Sequence, residues 1–233
     1  GGMDLGAPYA APAPDSFLKG LEEKPRKLKI AFTSQALFGS DTHSDNQKAL
    51  KHSIKLLQDL GHEVVEDCPK FDKEGLIRAY YLTVSAGVAL GVLQIEEKIG
   101  RKCKESELEM STWALNTIGN AISSAEYVYN IDLIHRETRS VATFFTDYDL
   151  FLTPTTAHPP ALIGQFKLTS ADRMQIKFLK RFPLKSLLNK ALESLATKAI
   201  CATPNTMLFN QTGQPAISVP LYWNENNLPI GSQ

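Results

Sequence analysis

The segment from Leu28 to Glu66 constrains the fold more than any other part of the chain. Leu28–Thr33 reads LKIAFT, an alternating, β-rich run that predicts a strand. Ser44-Asp45-Asn46-Gln47 has the pattern of a capping box. Leu50, Ile54, Leu57 and Leu60 then recur on one face at helical spacing, and Gly61 ends the helix. His62–Glu66 predicts a second strand. Strand, helix and strand with short connections make a βαβ unit, whose right-handed crossover leaves the strands parallel. The expected class is α/β, with a mixed, mostly parallel sheet flanked by helices.

The remaining elements follow in order. Gly1–Pro14 reads as an extended arm and not as the beginning of a protein, and Asp15 is placed to cap a helix over Phe17–Glu23. Asp72–Lys98 is a long helical stretch. Its middle, Val84–Leu93, is apolar on nearly all sides, which calls for burial, and Ala86, Gly87, Ala89 and Gly91 thin it for close packing. Ser106–Glu109 and Ser123–Glu126 read as capping boxes opening two further helices, the second running to about Phe145. Tyr148–Thr153 predicts a buried strand ended by Pro154. Thr169–Phe182 and Leu184–Ala199 predict helices interrupted by Pro183.

Composition removes several function classes. Lys and Arg number 25 against 25 Asp and Glu, in no cluster, so a basic nucleic-acid face is not expected. Cys68, Cys103 and Cys201 are widely spaced and lack a CxxC pair, and the five histidines form no HxH or HxxxH pair; neither a disulfide framework, a metal site nor a cofactor is expected. A reducing, cytoplasmic setting follows. Tyr80–Leu93, the longest mostly apolar run, is shorter than the roughly 17–25 residues of a bilayer span, so no membrane partner is expected. The 233 residues suit one domain.

Three blocks carry more information than any of this. Phe209–Pro220 reads FNQTGQPAISVP, a polar loop feeding a short strand from Ala216. Leu228-Pro229-Ile230-Gly231 follows it, and YDLFLTPTT, Tyr148–Thr156, precedes it. In this order and spacing the blocks resemble the C-terminal half of the amidase signature family, and Asp4–Pro12 (DLGAPYAAP) resembles a segment that follows the catalytic half of that family. Leu221-Tyr222-Trp223 resembles the aminohexanoate cyclic-dimer hydrolase subgroup. The resemblance implies amide hydrolysis by a serine nucleophile, a second serine and a lysine base, acting on a small-molecule amide.

That apparatus is not legible within these 233 residues. The one Ser-Ser pair, Ser123-Ser124, stands where a helix cap is wanted, and no Gly/Ser-rich loop accompanies it. The chain thus reads as the C-terminal portion of an amidase, inactive alone, with no catalytic residue of its own; the alternative is a non-catalytic α/β binding module descended from that fold. The resemblance implies substrate contacts at Tyr81, Ser85, Thr155, Asn210 and Gln211, with Trp113, Met207 and His158 as further candidates. The plain alternative makes Thr153, Thr155, Thr156, Asn210, Gln211 and Thr212 structural clamps, and Tyr81 and Ser85 packed core. The strands from Tyr148 and Ala216 are expected in one sheet; were they in separate sheets or separate domains, the amidase reading of the core would fail. A part of a fold also exposes apolar area, here expected around Val84–Leu93 and Phe209 and covered by homo-oligomerisation.

Overall fold

A computed structural model describes residues 17–22, 24–39, 41–165, 167–181, 200 and 203–233. The Gly1–Pro14 arm, the Asp15 cap, the Leu184–Ala199 helix and Cys201 lie outside them. The elements are α1 (Phe17–Glu22), β1 (Lys29–Phe32), α2 (Ser44–Asp59), β2 (Glu63–Glu66), α3 (Lys73–Ile99), α4 (Met110–Ala121), α5 (Ser124–Phe144), β3 (Leu150–Leu152), α6 (Ser170–Arg181), α7 (Met207–Thr212), β4 (Val219–Trp223) and β5 (Pro229–Ser232).

β1 is the middle of a three-stranded parallel sheet in the order β2-β1-β3, with Ile30 opposite Val64 and Leu150. The βαβ reading is therefore correct, and the sheet is flanked by helices. Alternation along β1 sets the two faces. Ile30 lines a groove with Leu56 and Leu57 of α2. Phe151, opposite Ala31, packs edge-on against Phe144 and near Phe209, with ring centroids 5.5 and 6.3 Å apart. Phe209 belongs to the main core with Leu76, Leu82, Leu133, Val141 and Leu208, contributed by α3, α5 and α7. Burying each such side chain is worth about 1.5–3 kcal/mol.

Polar contacts fix the start of the sheet. Asp149 accepts from the Arg26 guanidinium and from the Lys29 backbone N–H (2.8 Å), tying β3 to the entry of β1. Those bonds, the Arg26 contact first, hold the Asp149 carboxyl below the usual carboxylate range. The Tyr148 hydroxyl donates to Asp67 at 2.7 Å on the other side of β1.

Several boundaries differ from expectation. The N-cap of α2 is His43, one residue before the presumed cap, with its Nδ1 accepting from the Asp45 N–H. Ser106 opens no capping box: Glu107 is held by Arg101 and by the Lys104 N–H, which pull its carboxyl down to about 2 and close a 3₁₀ turn over Glu105–Glu107. α4 begins afterwards, at Met110. Ser123 does cap α5 through the Glu126 N–H.

The Phe209 stretch departs furthest. Asn210, Gln211 and Thr212 are not loop residues but the last turn of α7, which Gly213 ends at φ 82° by donating its N–H to the Phe209 carbonyl. Left-handed backbone of that kind favours glycine. Phe209 is buried, not exposed, because it faces the core from this helix. The strand begins at Val219 rather than Ala216 and pairs antiparallel with β5 in a second, two-stranded sheet. Direct pairing of β4 with β3 is thus absent among the described residues. β5 lies between them: Thr153 and Gln233 exchange both backbone hydrogen bonds (2.9 and 2.8 Å), and the Thr155 N–H reaches the Gly231 carbonyl at 3.0 Å. Two sheets are joined through one short antiparallel bridge.

α3 also corrects the sequence reading. At 27 residues it is long and apolar enough by length and composition to cross a membrane, yet it lies along α4 and α5. Leu90, Leu93, Ile95 and Ile99 are about half exposed, so its C-terminal half is not enclosed. Gly87 and Gly91 face open space; the close approach is made instead by Gly119 of α4, whose missing side chain would lie 2.2 Å from the Ser85 carbonyl oxygen and 2.9 Å from the Ala89 Cβ.

These contacts set opposite signs for two like substitutions. Gly119→Ala should destabilise by about 1–3 kcal/mol, because a backbone oxygen must move. Gly87→Ala should stabilise by about 0.5–1 kcal/mol, since helix propensity is then unopposed. Denaturant unfolding of the pair checks both. Asp149→Asn should lower stability only where Asp149 is ionised. Its folded carboxyl is held below the ordinary value of 3.8, so the wild-type advantage is full above that value and is lost as pH falls below it, through the lowered folded value. Unfolding curves at neutral and acid pH should therefore differ between the two proteins and then converge.

Candidate functional site

The site is built where the three sequence blocks meet. Beyond β3 the chain enters Thr153-Pro154-Thr155-Thr156, and two buried amides fix it. Asn205, fully buried, accepts the Leu37 N–H at Oδ1 (2.9 Å) and donates from Nδ2 to the Pro154 carbonyl (2.6 Å). Asn46 of α2, also fully buried, donates to the Thr156 carbonyl at 2.8 Å. The Pro154 and Thr156 carbonyls in this non-helical segment thus each have a side-chain donor, as buried backbone requires.

Thr155 then meets the other two blocks. Its hydroxyl lies 2.7 Å from the Ser218 hydroxyl. Gly231 sits directly against this pair: a side chain there would lie 2.6 Å from Ser218 Oγ and 2.8 Å from Thr155 Oγ1. Two cavities flank the hydroxyl pair. One, of about 370 Å³, is lined by Thr155 and Ser218 with Thr206, Asn210, Gln214 and Gln233. The other, of about 480 Å³, shares Thr155 and Ser218 and adds His158, Gln165 and Gly231. Hydroxyls and amides facing open volume beyond strand ends suit recognition of a neutral polar group such as an amide.

Of the five substrate contacts expected from sequence, Thr155 and Asn210 line the same cavity. Asn210 is exposed and also donates back to the Thr206 carbonyl at 2.9 Å. Gln211 points inward, with both amide atoms buried and no hydrogen-bond partner. Tyr81 and Ser85 are buried on α3, Tyr81 edge-on to Tyr80 in the core and Ser85 with its hydroxyl unpartnered; neither lines the two cavities. Met207 is in the core, and His158 is exposed at the rim of the larger cavity. Among the described residues no group of three His, Cys, Asp or Glu side chains could hold a metal ion.

Sequence reasoning passed over Ser218, Gly231, Asn205 and Asn46. Ser218 carried a usable signal, a lone hydroxyl within the apolar run Ala216–Pro220. Asn205 and Asn46 act through tertiary contacts to distant backbone and have no local signature.

Gly231→Ala tests the junction. Both hydroxyls would have to separate to admit the methyl group, so the variant should lose about 1–3 kcal/mol of stability. Combining it with Ser218→Ala should restore part of that loss, which a double-mutant cycle measures directly.

An amidase family model matches residues 2–233. The lipoamidase of Enterococcus faecalis is 27% identical over 204 residues, covering 88% of this chain and 28% of that protein. The 6-aminohexanoate-cyclic-dimer hydrolase of Pseudomonas sp. (strain NK87) is 24% identical over 233 residues, covering 98% of this chain and 44% of that enzyme. Among solved structures, a 6-aminohexanoate cyclic dimer hydrolase complexed with substrate superposes with a TM-score of 0.79 at 23% identity, over 99% of this chain and 46% of the other. A bacterial aryl acylamidase superposes at 0.61 and 16% identity, over 89% of this chain and 39% of the other. The chain spans less than half the length of these relatives. β3 and β4 stand in separate sheets, so the one-sheet expectation was wrong and its criterion for the resemblance too strict; on the family match over residues 2–233, this chain belongs to the amidase family.

Proposed function

We propose that these 233 residues are the C-terminal portion of an amide hydrolase of the cyclic-dimer hydrolase type, and that they form one wall of its substrate site without carrying its catalytic groups. The observation that carries this reading is the convergence of Thr155, Ser218 and Gly231 from three separate sequence blocks onto one hydroxyl pair flanked by two cavities. Family membership supports hydrolysis of a carbon–nitrogen amide bond. The coverage of the relatives, 28% of the lipoamidase and 44% of the cyclic-dimer hydrolase, supports a chain that is part of something longer.

Within such an enzyme, the chain's residues position and do not react. Thr155 and Ser218 offer hydroxyls that both donate and accept, and Asn210 adds an amide, so a substrate amide can be held through either of its polar atoms. Nucleophile, proton relay and base come from outside these residues. Positioning without a reacting group gives no turnover, so the chain alone should be inactive. Ser123, the one candidate in a Ser-Ser pair, is occupied as the cap of α5.

The test compares this chain with the whole polypeptide of its reading frame, using a serine-reactive phosphonate and a panel of a cyclic amide dimer, a lipoyl-lysine amide and an aryl amide. The whole polypeptide should hydrolyse at least one and become labelled on a serine outside residues 1–233, while the chain alone does neither. Stoichiometric labelling of Ser123, Ser124 or Ser218 with turnover would overturn the assignment. A whole polypeptide that neither labels nor hydrolyses would point to a binding module instead.

A further inference from the structure

The smaller cavity beside the hydroxyl pair, of about 370 Å³, is lined only by neutral side chains among the described residues. Two of these, Asn210 and Gln214, are amides set close together in the chain, one in the last turn of α7 and one just past the Gly213 stop. The protein ties down one end of each. Asn210 Nδ2 donates to the Thr206 carbonyl at 2.9 Å. A carbonyl oxygen only accepts, so the nitrogen must face it and Oδ1 is the end left over. Gln214 Oε1 accepts from the Thr212 hydroxyl. The left-handed turn at Gly213, φ 82°, lets the Gln214 side chain return to Thr212, two residues earlier. Thr212 is 8% exposed, so it holds that oxygen from the buried side. Its hydroxyl also lies 3.2 Å from the Leu208 carbonyl, but it has one proton, and the Gln214 oxygen is held only by receiving it.

The cavity therefore has a set polarity. Gln214 Nε2 offers N–H donors and Asn210 Oδ1 offers an acceptor, and neither atom has a hydrogen-bond partner among the described residues. A secondary amide carries the complement, a carbonyl that accepts and an N–H that donates. Ionised groups suit it poorly. A carboxylate would meet Asn210 Oδ1 with no cation to offset it, and an ammonium would meet the Gln214 N–H groups. The amide held here is also not the one that reacts. Nucleophile and base lie outside these residues in the reading above, and a reacting carbonyl must sit against them.

We infer that Gln214 and Asn210 are specificity-determining residues that bind a second, non-reacting secondary amide of the substrate, Gln214 donating to its carbonyl and Asn210 accepting its N–H. The inference rests on the reading of this chain as one wall of an amide hydrolase. It narrows the substrate class to molecules with two amides a short span apart, as in a cyclic amide dimer, over molecules with an isolated amide. Thr212 is a positioning residue, because it acts through Gln214 by turning the donor end of that side chain away from itself. A site built to pair both polar atoms of an amide discriminates against an analogue that lacks one of them, since a protein group is then left without its partner.

The test uses the whole polypeptide of the reading frame and three rings: a cyclic amide dimer, the same ring with its second amide replaced by an ester, and the same ring with that amide replaced by methylenes. Equilibrium titration gives binding and steady-state turnover gives kcat and KM separately. The preference for the dimer over the methylene ring should fall about 5- to 10-fold in Gln214→Leu, through KM and not kcat. Gln214→Glu, which offers acceptors only, should lose at least as much. Thr212→Val should lose part of the preference and Thr212→Ser should keep it. Asn210→Ala should erase the discrimination between dimer and ester. A preference that survives Gln214→Glu would overturn the assigned polarity, and an equal loss on all three rings would overturn the specificity role, as would a dimer that does not bind. Binding of the dimer that depends on Gln214 without turnover removes the proposed function and leaves this inference. Turnover with a preference indifferent to Gln214 and Asn210 does the reverse.

Discussion

Everything distinctive about this structure depends on the close approach of Gly231 to the Thr155 and Ser218 hydroxyls. Only a residue without a side chain allows β5 to lie against the segment beyond β3 while Ser218 reaches across. That approach is what joins the antiparallel β4-β5 pair to the parallel sheet, since β4 makes no direct ladder with β3. Asn205 and Asn46 then hold the Thr153–Thr156 segment from behind, one spanning to Leu37 and one from α2. The hydroxyl pair is consequently fixed from three directions before any ligand arrives. Fixed donors lose little freedom on binding, which is the main physical advantage of a preorganised site.

The sequence made the parallel core legible because its signals were local and periodic. The spacing of Leu50, Ile54 and Leu57, the stop at Gly61 and the alternation of Leu28–Thr33 each report on neighbours within one element. The end of the chain was misread for the opposite reason. Phe209-Asn210-Gln211-Thr212 has the polar, turn-prone composition of a loop, but the burial of Met207, Leu208 and Phe209 makes one helical turn worthwhile there. Gly213 is free to take positive φ, and it does so as the stop of that helix. The 3₁₀ turn shows a register shift of the same kind, since Glu107, held by Arg101, caps back onto the Lys104 N–H, two residues before the expected Ser106–Glu109 box.

The site was legible as a set of blocks but not as a set of contacts. Thr155 lay in one block, Ser218 and Gly231 in two others, and only their tertiary meeting selects these atoms over the neighbouring hydroxyls. Tyr81 and Ser85 illustrate the limit of helical spacing: it places them on related faces of α3, but whether that face meets a cavity or the core depends on what packs over it. Here α5 and α4 do.

The buried hydroxyl bridge between α2 and β5 carries a different implication. Ser53 Oγ lies 3.0 Å from the Ala49 carbonyl and 2.8 Å from Ser232 Oγ. A hydroxyl has one proton, so if Ser53 gives its own to Ala49, Ser232 must donate to Ser53. Ser53→Ala removes the hydroxyl partner of Ser232, which is 4% exposed, whereas Ser232→Ala leaves Ser53, 1% exposed, its bond to the Ala49 carbonyl. Replacing both deletes donor and acceptor together. The constraint is therefore one-sided: alanine is tolerated at Ser232 alone, but an alanine at Ser53 should travel with an alanine at Ser232 across the lineage of this chain.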